Sequence, residues 1–576
     1  MKPLTVFTAL SELLGTGAYV PRSPAGNCRC LPGDLCWPSD SAWAQLNETV
    51  GGRLIATTPI GSVCHEPNYD EAKCSNVRAN WTSPELHIDT TSSPMEPFFA
   101  NQSCDPFTDK ELPCTLGNLV SYSVNVSTAT DVQAALKFAQ QSNIRVTIRN
   151  TGHDFLGRST GAGALSIWTH NLQSIDFLDW NDPDTYEGPA VKVAAGVQGW
   201  QVTEAADAKG LVVVGGECPT VGLAGGYIQG GGHSVLSTSF GLAADSALEF
   251  EVVLVNGQLV KANRSSNPDL FWALRGGGGG TYGVVMSVTV AAYPYKTVGG
   301  AFLSTASSVT TPEKWTQLIS RFHGLIPNMT DAGASIVYYA SSQIFALRPV
   351  TVYDANKTYV QDVVMKPVTD LLVELGIPYQ GGFSELSYRD HYDRYMGPLP
   401  TGWIKIASYN FGGRLIPRDV LADSTELSTF NAALAKLSAG GVLAVGIAAA
   451  YGVRKTNIGA TPVWRKTAVQ MQLTTPWANT ADWTANIAWQ NRMTSEFMPT
   501  IEAATPGGGS YLNEADFNQP NWQKTFFGAN YARLCDIKRK YDPENILYIL
   551  KGIGSDGWKV AADGRMCRAY DSCTMY

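Results

Sequence analysis

Charge is scarce in this chain: Asp, Glu, Lys and Arg together make up 16% of its 576 residues, and the net charge of −8 is offset by no basic cluster. That balance argues against a nucleic-acid backbone or an anionic membrane surface as a partner. Long apolar runs are also missing. Beyond the N-terminal segment, none approaches the ~18 to 20 residues that a membrane span needs. No internal repeat or low-complexity tract is evident. No G-x-G-x-x-G opens a helix after the first strand with an acidic residue ~20 positions on, which disfavours an NAD-type Rossmann enzyme. The first cysteines, Cys28-x-Cys30 and the five-residue gap to Cys36, fit no common structural zinc spacing, so no metal site is expected.

What is present points to export. Residues 1–18 carry Lys2, a mostly apolar stretch through Leu14, and the small residues Thr16, Gly17 and Ala18, the pattern of a secretory signal peptide. Seven N-x-[ST] sequons, at Asn47, Asn80, Asn101, Asn125, Asn263, Asn328 and Asn356, mark acceptors for N-glycans. If Cys218 is committed elsewhere, ten of the 11 cysteines remain, enough for five disulfides in an oxidising compartment. Their connectivity stays open.

A hydrophobic content of 44% leaves ample material to bury, and the length predicts two or three domains. Residues 19–116 are rich in Pro, Ser, Cys and Asn and read as a cysteine-rich, loop-rich extension. From 117 to 297 the pattern becomes strand, helix, strand. Val120, Tyr122, Val124 and Val126 alternate, Val132, Ala135, Leu136 and Ala139 recur at helical spacing behind a Thr130/Gln133 capping box, and Ile144, Val146 and Ile148 alternate again. A second such unit is expected from Val191–Ala195, a helix over 200–209 stopped by Gly210, and the strand 211–214. Asn256-Gly257, between 247–255 and 258–261, predicts a type I′ hairpin. Residues 298–505 alternate aromatic and β-branched stretches (335–340, 404–411, 468–474) with helical segments such as 420–437, as in an α+β unit with an antiparallel sheet. Residues 506–556 hold an amphipathic helix halted at Asp542-Pro543, and 557–576 form a cysteine-containing tail.

Two nucleophiles sit in glycine-framed segments, each just after a strand: His153 in RNTGHDFLGRSTGAG and Cys218 in GGECPTVGLAGGYIQGGGHS. An imidazole and a thiolate can attack the 8α-methyl carbon and C6 of a tautomerised isoalloxazine, so the pair reads as two covalent anchors for one flavin. Loss of ring electron density to the two links favours difficult hydride abstractions.

The pieces RNTGHD (149–154), CPTVG (218–222), GGYIQGGGHS (225–234), FGLAADSALEFEVVLVNG (240–257) and DLFWALRGGGGGTYGVV (269–285), with YLNEAD (511–516) and FFGANYARLCDIKRKYDPENIL (526–547), resemble the vanillyl-alcohol oxidase superfamily. Within it they are most similar to the berberine-bridge-enzyme-like branch and to secreted fungal oxidases of the isoamyl-alcohol-oxidase type. The resemblance implies an α+β chain with a two-subdomain PCMH-type FAD-binding domain, interrupted by a substrate domain and completed by C-terminal residues. It puts FAD on His153 and Cys218. Arg149, Asn150, Thr151, Gly152, Thr220, Val221 and Gly222 flank these anchors, while Gly225, Gly226, Gly230, Gly231 and Gly232 admit main-chain N–H groups close to the pyrophosphate or ring.

Val221, three residues after the cysteine, resembles the oxidases of this branch, in which a small side chain admits O2 to the flavin. Tyr511 is the candidate base for the substrate hydroxyl, provided that its pKa is lowered. Asn513 and Gln472 would hydrogen-bond the site. The glutamate base of the branch's namesake has no counterpart in GVLAVGIAAAYG (441–452), which puts berberine-bridge chemistry in doubt. Asp154 and Asp516 are expected to orient a loop and cap the C-terminal element, and His391 and Tyr392 to line the substrate cavity. The expectation is a secreted oxidase that passes hydride from an alcohol-type C–H to FAD and reduces O2 to hydrogen peroxide. A dehydrogenase of the same fold, an oxidative cyclase and a flavin-carrying binding protein remain alternatives.

Overall fold

Three β-sheets carry the chain in this computed structural model, which describes residues 27–570, 572 and 573; the signal-like segment 1–18 lies outside them. The first sheet contains β1 (Leu54–Ala56), β2 (Tyr122–Asn125), β3 (Val146–Arg149) and β4 (Leu165–Trp168) in the order β1-β2-β4-β3. Both β2 and β3 run parallel to β4. The crossover helix Ala129–Gln141 buries Val132, Ala135, Leu136 and Ala139 as its spacing predicts. Its capping box is Thr128/Asp131 rather than Thr130/Gln133, because the Asp131 carboxylate accepts the Ser127 and Thr128 N–H groups at 2.9 and 3.0 Å and pairs with Arg53.

The cysteine-rich segment is not a separate extension. β1 extends the first sheet antiparallel to β2, and Trp43, on the helix Asp40–Thr49, stacks on Tyr122 with ring centroids 4.0 Å apart. Trp43, Leu46 and Val50 lie at helical spacing and share one core with the crossover helix.

The second sheet is antiparallel: β5 (Ile175–Asp182), β6 (Tyr186–Ala194), β10 (Val284–Ala291), β8 (Ala247–Val253) and β9 (Leu259–Ala262), side by side in that order. The second strand–helix–strand unit therefore does not form. β5 and β10 occupy both edges of β6, so after the helix Gly199–Asp207 the short β7 (Leu211–Val212) pairs instead with β11 (Tyr293–Pro294). The β8/β9 hairpin is present with a different turn. Only Gly257 takes a positive φ (84°), Gly257 N–H meets Leu254 O and Leu254 N–H meets Gln258 O, so a type I turn with a glycine bulge replaces type I′.

The third sheet has seven antiparallel strands: β12 (Val298–Ala306), β13 (Ala334–Ala340), β14 (Ile344–Tyr353), β15 (Gln380–Leu386), β16 (Tyr409–Pro417), β17 (Leu443–Ala448) and β18 (Thr467–Pro476), in the order β15-β12-β14-β13-β17-β18-β16. One face packs on the helices Pro312–Asp331, Lys366–Leu375 and Ser424–Ala439. The stretch expected as a strand from 404 starts only at Tyr409, since Ile406 and Ala407 pack with Val77, Trp81, Ile88 and Met95. The helix expected over 420–437 is split at Asp423, whose carboxylate caps the second half through the Thr425 and Glu426 N–H groups.

Five disulfides join Cys28–Cys567, Cys30–Cys36, Cys64–Cys74, Cys104–Cys114 and Cys535–Cys573, and Cys218 is free. The C-terminal helix Tyr531–Tyr541 stops at Asp542, whose carboxylate takes the Lys538 ammonium at 2.6 Å and the Ile546 and Leu547 N–H groups. Leu547 then bridges Val146 in parallel, so the C-terminal segment returns to the edge of β3. Among the described residues no helix is long and apolar enough to cross a membrane.

Candidate functional site

The loop after β3 carries His153 into a cleft of about 1010 Å³, counted out to its open mouth. Asp154 orients this loop as expected, accepting the Leu156 and Ser159 N–H groups at 3.1 and 2.7 Å. Arg149 lies behind it, with Nη2 donating to His87 O at 2.8 Å, and Asn150 Nδ2 donates to Ala195 O. Cys218 Sγ is 3.9 Å from His153 Nε2. Thr220 sits between the two nucleophiles, with Oγ1 2.8 Å from His153 Nε2 and 3.5 Å from Cys218 Sγ. His153 Nδ1 has no hydrogen bond among the described residues.

Burial pushes the His153 pKa down to about 3, helped by the positive charge of Arg149, so the ring is a neutral imidazole. Burial also raises the Cys218 pKa against the opposing Thr220 hydrogen bonds. At rest Cys218 is a thiol that must lose its proton before it reacts.

The cleft wall suits FAD. Asn150, Thr151, Gly152, Val221, Gly222, Gly225 and Gly226 line it, joined by Gly279 and Gly280 from the 276–280 run and by Leu547, Tyr548 and Ile549. An added Cβ at Gly226 would meet nothing within 4 Å and would project into the cleft, and one at Gly279 would touch the Gly226 backbone at 3.0 Å. Two buried polar atoms of the lining residues, Asn150 Oδ1 and Arg158 Nη2, have no protein partner. They fit a ligand with polar ring atoms and a pyrophosphate. Gly230, Gly231 and Gly232 follow the segment that lines the cleft. The latter two take positive φ (125° and 76°) and turn the chain into His233.

The expected catalytic residues divide. Asn513 lines the cleft and donates to Gly226 O at 2.7 Å and Tyr511 Oη at 2.8 Å. Tyr511 is buried and its pKa is raised, by burial and then by the Glu514 carboxylate, so the lowering that a phenolic base requires is reversed. Gln472 Nε2 donates to Glu514 Oε2 at 2.7 Å, and Gln470 Nε2 donates to the same oxygen at 2.9 Å. The period-2 register of β18 places both amides on the face opposite Val469, Met471 and Leu473, which join the helix-side core.

Three residues inside the quoted motifs were not singled out from sequence. His233 Nε2 is 2.9 Å from Glu514 Oε1, and His233 Nδ1 is 3.2 Å from Glu217 Oε2. Burial opposes charge on His233, but the two carboxylates outweigh it and hold its pKa well above the usual value. Burial likewise opposes charge on Glu514, yet His233, Gln472 and Gln470 keep its pKa below the usual range. The only sequence signal was the adjacency of Glu217 to Cys218 and of His233 to the glycine run.

His391 is not a cavity residue: it is fully buried, pairs with Thr351 Oγ1 at 2.8 Å and has its pKa lowered to about 3 by burial. Tyr392 Oη donates to Gly216 O at 2.7 Å and so buttresses the Cys218 loop rather than the cavity. Asp516 accepts from Gln490 Nε2 and Asn518 N–H, and burial pushes its pKa up to about 6.

Residues 120–263 match the FAD binding domain family, and residues 510–554 match the berberine and berberine-like family. The chain is 48% identical over 564 residues to the FAD-linked oxidoreductase ZEB1 of Gibberella zeae, covering 97% of this chain and 98% of that one. It is 39% identical over 578 residues to the bifunctional decalin synthase calF of Penicillium decumbens, covering 98% and 99%. Among solved structures, the VAO-type flavoprotein MtVAO615 of Myceliophthora thermophila aligns with a TM-score of 0.90 at 40% identity, covering 94% of this chain and 100% of that one.

Proposed function

The chain belongs to the berberine-bridge-like branch of the vanillyl-alcohol oxidase superfamily of FAD-linked oxidoreductases, and on that premise we propose that it is a secreted oxidase of alcohol-type C–H bonds with FAD held on two covalent links. One observation carries the reading: a neutral imidazole and a free thiol 3.9 Å apart, with the imidazole in the wall of a glycine-rich cleft. His153 would hold the 8α-methyl carbon and Cys218 would hold C6, with Thr220 fixing the imidazole tautomer. Asn150, Arg158 and the glycine walls would hold the rest of the cofactor. Bound FAD supplies a two-electron acceptor for the C–H hydride and can pass the pair to O2.

Val221 in the cleft wall is the small residue that supports oxidase over dehydrogenase. Five disulfides and seven sequons support export and N-glycosylation. The 39% identity with a decalin synthase favours a second reading, oxidative cyclisation of a specialised metabolite at the same flavin.

Acid denaturation decides the anchoring: yellow colour that stays with the polypeptide, and with both the His153→Ala and the Cys218→Ala variants, supports two covalent links, and a shed chromophore refutes them. A panel of alcohols, sugars and phenolics scored by peroxide release separates the oxidase, which consumes O2, from a dehydrogenase, which reduces only dyes or quinones. Flavin reduction by none of the panel would favour the cyclase or a binding protein.

A further inference from the structure

Three distant segments meet beside the anchoring cysteine: Glu217 from the residue before it, His233 from the end of the glycine run, and Glu514 from the C-terminal segment. They form a carboxylate–imidazole–carboxylate row with contacts of 3.2 and 2.9 Å. The Glu217 and Glu514 side chains remain 15% and 16% accessible, so the row is not sealed in the core.

Hydrogen bonding decides which member can take a proton. Glu514 already receives three donors, His233 on one oxygen and Gln470 and Gln472 on the other. Both nitrogens of His233 are engaged. The Tyr511 oxygen accepts from Asn513, and its proton is held tightly beside a carboxylate. Among the described residues Glu217 receives only His233 Nδ1 and keeps lone pairs free.

The covalent structure of isoalloxazine supplies the location. C6 is bonded to the ring-fusion carbon that carries N5, so a thioether from Cys218 to C6 brings the adjacent residue to the hydride-accepting edge of the ring. We propose that Glu217 is the catalytic base of this site, and that His233 and Glu514 are positioning residues that hold its carboxylate in place. The substrate O–H proton passes to the Glu217 carboxylate, the O–H electron pair becomes the second C–O bond, and the C–H hydrogen leaves with its electrons for the flavin. This rests on the anchoring of FAD by Cys218, which acid-stable colour in the His153→Ala variant tests independently.

Sulfite, an anionic nucleophile that adds reversibly at flavin N5 and bleaches its visible absorbance, reports the charge there without a known substrate. Titrated into the holoprotein, it should bind at least about tenfold tighter to Glu217→Gln than to the unaltered enzyme, because a nearby negative charge has gone. Glu217→Asp, which keeps the charge, should restore the original affinity to within about threefold. Equal sulfite affinity in E217Q and the unaltered enzyme, including binding by neither, overturns the proposal. With the alcohol that reduces the flavin fastest, E217Q should slow reduction by at least about 100-fold, and an unchanged rate overturns the catalytic role.

The positioning role is read from the pH profile of sulfite binding. The groups facing His233 are Glu217, Glu514, the Tyr511 ring and the Tyr227 hydroxyl on its carbonyl. Glu514→Gln removes one of two counter-charges and should move the midpoint to lower pH. A midpoint left in place, even with a lowered Tm, overturns the positioning role.

Discussion

His153 and His233 occupy two regions that look alike in the sequence, each a glycine-framed loop; the structure buries His233 and leaves His153 half-buried in the cleft wall. Their protonation states differ: His153 is neutral and His233 is charged. The Arg149 guanidinium reinforces the burial penalty at His153, whereas Glu217 and Glu514 flank His233 and overcome it. The difference teaches that burial alone does not set the protonation of a histidine. The charges that share its cavity do, and here they separate a neutral nucleophile in the cleft wall from an imidazolium under the seven-stranded sheet.

The largest expected effect breaks the first region outright. His153→Ala combined with Cys218→Ala should abolish acid-stable flavin, while either substitution alone should leave one covalent link, as the colour of the acid precipitate would show. Next, His233→Ala leaves two carboxylates without their shared counter-charge and should cost about 3 kcal/mol, measured as a fall in Tm or in denaturant midpoint. Restoring stability by adding Glu217→Gln and Glu514→Gln to that variant would sharpen the assignment, whereas equal instability would break it.

The pH dependence has opposite signs in the two regions. His87 and His323, like His153, stay neutral when folded, with pKa values lowered to about 4, 4 and 3, but charge near 6.5 when unfolded. Stability should therefore fall as pH drops from about 6.5 towards 4, by roughly 1 kcal/mol per pH unit for each such histidine. His233 has a raised folded value, so its contribution is complete below about 6.5 and is lost only as pH climbs through that raised value. A Tm profile from pH 4 to 10, with His323→Gln flattening the acid limb and His233→Ala the alkaline one, checks both signs. The smallest effect is at Thr220: its replacement by Val removes the hydrogen bond to His153 Nε2 and should cost about 1 kcal/mol and slow flavin attachment.

Much of the fold was readable because it is local. The alternating residues that include β2, the aromatic and β-branched stretches that became β13 and β18, and the 3.6-residue period of the helix Ala129–Gln141 follow from which side chains must face a core. The second parallel unit was not readable, because nothing in residues 191–214 reveals that β5 and β10 will occupy both edges of β6. Nor does the composition of 27–116 reveal that Leu54–Ala56 will complete a sheet edge. In the site, His153 and Cys218 stood out because their chemistry is specific to their residue types. Glu217, His233 and Glu514 did not, although each lies inside a quoted motif.

The order of nucleophiles, glycine runs and hydrophobic periods was determined by the sequence alone, since reactivity and strand or helix periodicity are properties of residues and their near neighbours. The state of the site was decided only by the tertiary structure. A proton on His233, its absence from His153 and the saturation of Glu514 by Gln470 and Gln472 depend on Coulomb and hydrogen-bond terms that act over a few ångströms between segments up to hundreds of residues apart.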